Sequence, residues 1–154
     1  MSAVNAGSKL EEVIRSRIEA FSQIVPGSIG DILQFRLISY DEETNVCIMT
    51  CETAPWMCNT AGTLHGGMCA TILDQAMGFI AYSVKQGEGI APTIQMSVDY
   101  HRPLIPGETA LIKVRVISVT RSFISLSAEA MRAELPEKVC VSGTGIYFCK
   151  PGEA

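Results

Sequence analysis

Asp74 is the one acidic side chain in an apolar run, Gly66–Lys85, that opens on the pair Gly66-Gly67. A carboxylate flanked along a helix by Ala70, Met77 and Ala81 is expected to be partly withdrawn from water and to serve as a proton acceptor. The start of the same helix would present unpaired N–H groups and a partial positive charge, a seat for a developing anion. Both features have plainer readings. Asp74 could be a structural acid bonded to Gln75 or Thr71, and a glycine pair could simply begin a helix. The six cysteines, Cys47, Cys51, Cys58, Cys69, Cys140 and Cys149, contain no Cys-x-x-Cys pair. Free thiols and no metal site are expected from that spacing.

The element carrying Asp74 is a helix over 66–85. Stepped at about 100° per residue, its apolar side chains cover roughly 220° of arc, far more than a surface helix buries. The remaining stripe is Gly67, Thr71, Asp74, Gln75, Gly78 and Tyr82. A membrane span is excluded by Asp74, which near the centre would alone cost about 2.5–3.5 kcal/mol. A sheet wrapped round this helix, leaving one narrow face open, satisfies the pattern. Strands are expected at Ile32–Tyr40 and Thr44–Glu52 before the helix, and at Ile90–Tyr100, Glu108–Val119, Ser122–Ala133 and Lys138–Cys149 after it. Ser8-Lys9-Leu10-Glu11 has capping-box spacing and is followed by apolar residues at helical intervals, which predicts an amphipathic helix over 8–25 ended by Pro26-Gly27.

A chain of 154 residues, 47% hydrophobic and 18% charged, fits one folded core, and one domain over 1–154 is expected. The net charge of −4 and pI near 5.2 offer no field for a polyphosphate partner, so no nucleic acid is expected. No basic start with an apolar stretch marks a signal peptide, and Glu11, Glu12 and Glu19 argue against a mitochondrial presequence. A cytoplasmic protein is expected, with an uncleaved mitochondrial address left open.

The residues Asn59-x-x-Gly62-x-Leu64-His65-Gly66-Gly67, then Asp74, then Thr93 and Tyr100-x-Arg102-Pro103, resemble the hotdog-fold acyl-CoA thioesterases, nearest the phenylacetyl-CoA and medium- to long-chain acyl-CoA branch. The resemblance covers about residues 30–150. It implies an α+β hotdog fold, a six-stranded antiparallel sheet round a long helix, and hydrolysis of acyl-CoA to free acid and coenzyme A without metal or redox cofactor. It also implies that the Gly66 backbone N–H forms an oxyanion hole and that Asp74 attacks the thioester or activates water. By the same resemblance Asn59 holds substrate or water, His65 bonds near the thioester carbonyl, and Thr93 supplies a hydroxyl beside the attacking water. Gly67 would border the substrate, and Trp56, Met57, Met68, Ile72 and Met77 are candidate linings of an apolar slot for the acyl chain. Arg102, Arg121 and Lys150 are candidate phosphate anchors.

Eight residues of helix separate Gly66 from Asp74 by about 12 Å, yet both must come within roughly 3 Å of one reacting centre. Antiparallel packing of two copies of the helix about a two-fold axis would set Gly66 against the partner's Asp74, so a homodimer with composite sites is expected, and by resemblance a dimer of dimers. Two other functions fit the same fold: a non-catalytic acyl-CoA binding or sensing domain, and a dehydratase or hydratase. The last needs an Asp and His close on one loop-helix segment, a spacing missing here.

Overall fold

Burial of the Gly66–Lys85 helix organises everything else. Its Cys69, Ile72, Leu73, Ala76, Met77, Phe79, Ile80 and Ala81 are buried, while Thr71, Asp74, Gln75, Gly78 and Tyr82 remain partly open along one stripe. In chain order the computed structural model, which describes residues 8–85 and 91–150, runs α1 (Lys9–Ile24), α2 (Ile29–Ile32), β1 (Arg36–Asp41), β2 (Val46–Glu52), a 3-10 turn (Pro55–Met57), α3 (Gly66–Lys85), β3 (Thr93–Tyr100), β4 (Thr109–Val119), β5 (Phe123–Arg132) and β6 (Val139–Phe148). The strands form one antiparallel sheet in the order β1-β2-β4-β5-β6-β3, curled round α3. This is the α+β hotdog arrangement, with α1 as the added N-terminal helix.

Period-two alternation makes one face of the sheet apolar. Ala110, Ile112 and Val114 of β4 and Ile124, Leu126, Ala128 and Ala130 of β5 are all at most 1% exposed. Register aligns them, Ile112 opposite Ala130 and Val114 opposite Ala128. Each large side chain buried there contributes about 1.5–3 kcal/mol. On β6 the backbone itself comes close to the helix. A Cβ added to Gly145 would lie 2.7 Å from the Tyr147 ring and 3.1 Å from the terminal methyl of Met77. Glycine at 145 therefore leaves the space in which Tyr147 lies against α3.

Helix α1 starts where Ser8 Oγ accepts from the Glu11 N–H at 3.1 Å, and it buries Ile14 and Ile18. Phe21 meets Phe79 and Tyr82 of α3 edge-on, with ring centroids 5.8 and 5.5 Å apart. The first strand begins later than expected. Ile32, its expected first residue, instead ends the helical turn Ile29–Ile32, where Asp31 accepts from the Gly27 N–H at 2.8 Å. The chain then passes through Gln34 at φ 46° before β1 starts at Arg36. The third strand starts at Thr93; Ile90, its expected first residue, lies outside the described residues.

The two edges of the sheet differ. Beside β1, Arg15 Nη1 donates to the Leu37 carbonyl at 3.3 Å, so α1 covers that edge. On β3, which pairs only with β6 among the described residues, Thr93, Ile94, Gln95, Ser97, Asp99 and Tyr100 are exposed. A bare edge of this kind is a template for another strand.

Candidate active site

His65 is the N-cap of α3. Its Nδ1 accepts from the Gly67 N–H at 2.9 Å, and its carbonyl accepts from the N–H groups of Met68 and Cys69. With Nδ1 accepting, the proton of the neutral ring sits on Nε2. Capping thus consumes the other first-turn donors, whereas the Gly66 N–H has no partner among the described residues. Tyr100 Oη donates to the Gly66 carbonyl at 2.9 Å, and its ring lies 3.4 Å from where a Cβ at 66 would stand. Asn59 is committed to its own loop: Oδ1 accepts from Ala61 N–H and Thr63 N–H, and Nδ2 donates to Thr63 Oγ1 at 2.9 Å. Asn59, Gly66, Tyr100, His101 and Arg102 border one open cavity of about 360 Å³. Arg102 is oriented there by donating from Nη1 to the Val139 carbonyl at 2.8 Å.

The carboxylate lies in a different recess. Asp74 Oδ1 accepts from Thr93 Oγ1 at 2.7 Å and from Tyr147 Oη at 2.8 Å. Oδ2 has no partner among the described residues. A chamber of about 150 Å³, walled by Phe21, Gln75, Gly78, Phe79 and Tyr82, lies beside it. Burial, and next the bond to Asp74, push the Tyr147 hydroxyl well above its ordinary value of 10.0, so it stays a donor. Tyr147 was missed in the sequence, although a signal existed: it stands at an inward position of β6, where a tyrosine hydroxyl must find an acceptor. Two hydroxyls from β3 and β6 thus fix one carboxylate oxygen and leave the other free to work.

The fold brings Asn59, His65, Gly66 and Arg102 together at the start of α3, and Asp74 with Thr93 about 12 Å further along it. Other expected residues go elsewhere. Met77 and Ile72 are fully buried in the core, so they present no surface to an acyl chain; Met77 packs closely beside Gly145 of β6. Arg121 joins neither cavity. Its carbonyl accepts from Lys85 Nζ at the C-terminal end of α3, the opposite end from Arg102. Trp56 is 57% exposed and borders neither cavity, while Met68 packs half-buried against the core. Lys150 is exposed. Burial raises the thiols of Cys47 and Cys51 to about 12 and of Cys69 to about 11, which removes them as nucleophiles at neutral pH. Among the described residues no three His, Cys, Asp or Glu side chains converge as metal ligands, and no helix is long and apolar enough to cross a membrane.

Residues 61–139 match the family model of the Thioesterase superfamily. The chain belongs to that superfamily. The matched span carries Gly66, Asp74 and Thr93, and leaves α1, Asn59 and Tyr147 outside it. No curated protein matches the sequence significantly. Among solved structures, the PaaI protein of the E. coli phenylacetic acid degradation operon superposes with a TM-score of 0.76 at 20% identity, covering 93% of this chain and 97% of that one. Thioesterase superfamily member 2 of Mus musculus gives 0.72 at 18% identity over 92% and 98%. The smu.793 protein of Streptococcus mutans, solved bound to acetyl CoA, gives 0.66 at 23% identity over 79% and 92%. These likenesses establish the shared hotdog fold.

Proposed function

We propose that the chain hydrolyses acyl-CoA thioesters to a carboxylic acid and coenzyme A. The observation that carries this reading is the Asp74 carboxylate, gripped at Oδ1 by two hydroxyls with Oδ2 turned loose beside a chamber. In the proposed reaction Oδ2 takes a proton from water as the water oxygen attacks the thioester carbonyl. Thr93 Oγ1 gives its own hydrogen to Asp74, so its oxygen is free to accept the second water hydrogen and orient the attack. Negative charge gathering on the carbonyl oxygen is received by the unbonded Gly66 N–H at the positive end of α3. Collapse of the tetrahedral intermediate breaks the C–S bond, and the proton held by Asp74 goes to the departing thiolate.

Because Gly66 and Asp74 stand on one helix about 12 Å apart, each site is proposed to combine Gly66 of one protomer with the partner's Asp74. The bare β3 edge and the small residues along the open stripe of α3 support close pairing of two copies. Coenzyme A as the carrier is supported by the superfamily and by the two related structures solved with acetyl CoA and with coenzyme A. Arg102, beside Gly66, is the proposed phosphate contact.

Thiol release from a panel of acyl-CoAs tests the activity, with Asp74→Asn as control; binding without release by the wild type would make this an acyl-CoA binding domain. Complementation tests the composite site. Asp74→Asn removes the base, and Gly66→Pro removes the N–H while suiting the first helical position. Each variant alone should be inactive, and refolding them together should restore about a quarter of the wild-type rate through mixed dimers. No recovery would remove the partner from the mechanism. A single turnover in ¹⁸O-water checks the chemistry: label in Asp74 means it is acylated and released by attack at the aspartyl carbonyl, whereas general-base hydrolysis leaves Asp74 unlabelled.

A further inference from the structure

The recess beside Asp74 ends in aromatic rings that the proposed reaction does not use. Phe35 meets Phe79 with ring centroids 5.4 Å apart, Phe79 meets Phe21 at 5.8 Å, and Phe21 meets Tyr82 at 5.5 Å, all at interplanar angles of 71–87°. Rings set edge to face at these separations are in contact. One turn before Phe21 on α1, the Arg17 guanidinium lies 3.7 Å over the Tyr82 ring. Its Nη1 is buried without a hydrogen-bond partner, and the negative face of the ring is what offsets that loss. Tyr82 is thereby clamped between two residues of α1.

Phe21 is held from behind as well. Gly30 of α2 is buried, and a Cβ there would stand 3.2 Å from the Phe21 carbonyl oxygen. Main chain on one side and two ring contacts on the other make Phe21 a fixed wall. On its inner side is the chamber of about 150 Å³ beside Asp74, and on its outer side an apolar groove of about 630 Å³ between α1, α2 and α3. Phe21 and Tyr82 border both spaces, and their ring contact is the partition between them. The chamber is about half the size at which small-molecule sites begin, roughly 300 Å³. An apolar cavity of about 150 Å³ is filled by one benzene, six carbon atoms.

We propose that Phe21 is the specificity-determining residue of the thioester hydrolysis, a reading on which this inference rests: its ring ends the acyl chamber and restricts the substrate to short acyl groups, about six carbons beyond the carbonyl. With the carbonyl facing Asp74, the atoms beyond it enter the chamber and stop against the ring. This runs against the medium- to long-chain substrates that the resemblance implies. The reason is local, since the ring comes from α1, which precedes the residues matched by the superfamily model.

The test uses the full chain with straight-chain acyl-CoAs from two to sixteen carbons, read by thiol release, and by calorimetric binding to Asp74→Asn. For the wild type kcat/KM should rise to about seven carbons and then fall at least ten-fold, as an overfilled apolar pocket requires. Phe21→Ala opens the partition and should raise the ratio of kcat/KM for twelve carbons over four at least ten-fold. Phe21→Trp should move the cut-off two or more carbons shorter. Phe21→Leu, which keeps apolar packing on α3, gives the same direction as alanine if alanine prevents folding. Arg15→Ala frees α1 from the Leu37 carbonyl without touching the rings, and should leave the length profile as it is. If Arg15→Ala reproduced the alanine profile, loosening of α1 and not ring size would be the cause, and the proposal would fall. Equal changes at every length, or a wild type that prefers twelve or more carbons, would overturn it while leaving hydrolysis standing. A length cut-off in binding that shifts with residue 21, without thiol release from any substrate, would keep the wall and defeat the hydrolase.

Discussion

The two ends of the open stripe on α3 use opposite chemistry. At the N-terminus the proposed reacting group is backbone, and the side chains around it are spent on keeping that backbone in place: His65 caps, Asn59 ties its loop, and Tyr100 holds the Gly66 carbonyl. In the middle of the helix the proposed reacting group is a side chain, and two further side chains hold it by hydrogen bonds. Substitutions should therefore act differently at the two ends, through loss of one N–H in the first and through loss of aim in the second.

The sharpest break is Asp74→Asn, which leaves the shape intact and removes the proton acceptor. Thiol release should fall about 10²–10⁴-fold, with the melting temperature little changed. Next is Gly66→Pro, expected to cost about 10²–10³ in kcat. Gly66→Ala keeps the N–H and should cost far less, any loss coming from its press against Tyr100. If alanine and proline were equally damaging, the backbone reading of that end would fail. Tyr147→Phe removes one of the two donors to Asp74 and should lower kcat by roughly ten-fold with KM nearly unmoved, as expected of a group that orients the base; the missing hydrogen bond costs about 0.5–1.5 kcal/mol of stability.

Stability should also fall in alkali. Tyr147, Cys47, Cys51 and Cys69 are all held above their ordinary values in the folded chain, so the unfolded chain loses those protons first. Their contribution is complete below about pH 9 and erodes as pH rises toward 12. Urea midpoints from pH 8 to 11 measure the decline, which Tyr147→Phe should lessen above pH 10. The smallest effect is His65→Ala, a lost cap costing about 0.5–2 kcal/mol; it should lower the melting temperature more than it lowers kcat.

Much of this was written in the chain order. The apolar arc of 66–85 demanded a wrapping sheet, and the acid stranded within it marked the place to look. What escaped was set by contacts distant in sequence. Tyr147 lies 73 residues from Asp74, and only the β6 register brings it near. Met77 reads like a pocket residue until Gly145 lets the sheet close over it. Arg121 resembles Arg102 in its strand-end setting, but the fold sends the two to opposite ends of α3. The turn at Ile29–Ile32 is closed by the bond from Gly27 N–H to Asp31 and not by a side-chain cap at Ser28, so no capping pattern marked it in the sequence.

Thr93, the first residue of the strand whose outer side is bare, is also one of the two hands on Asp74. Whatever steadies that strand steadies the acid. If two chains zip together along it, assembly would do more than supply missing groups: it would tension the mount of the base, and turnover per chain should decline on dilution before the fold itself loosens.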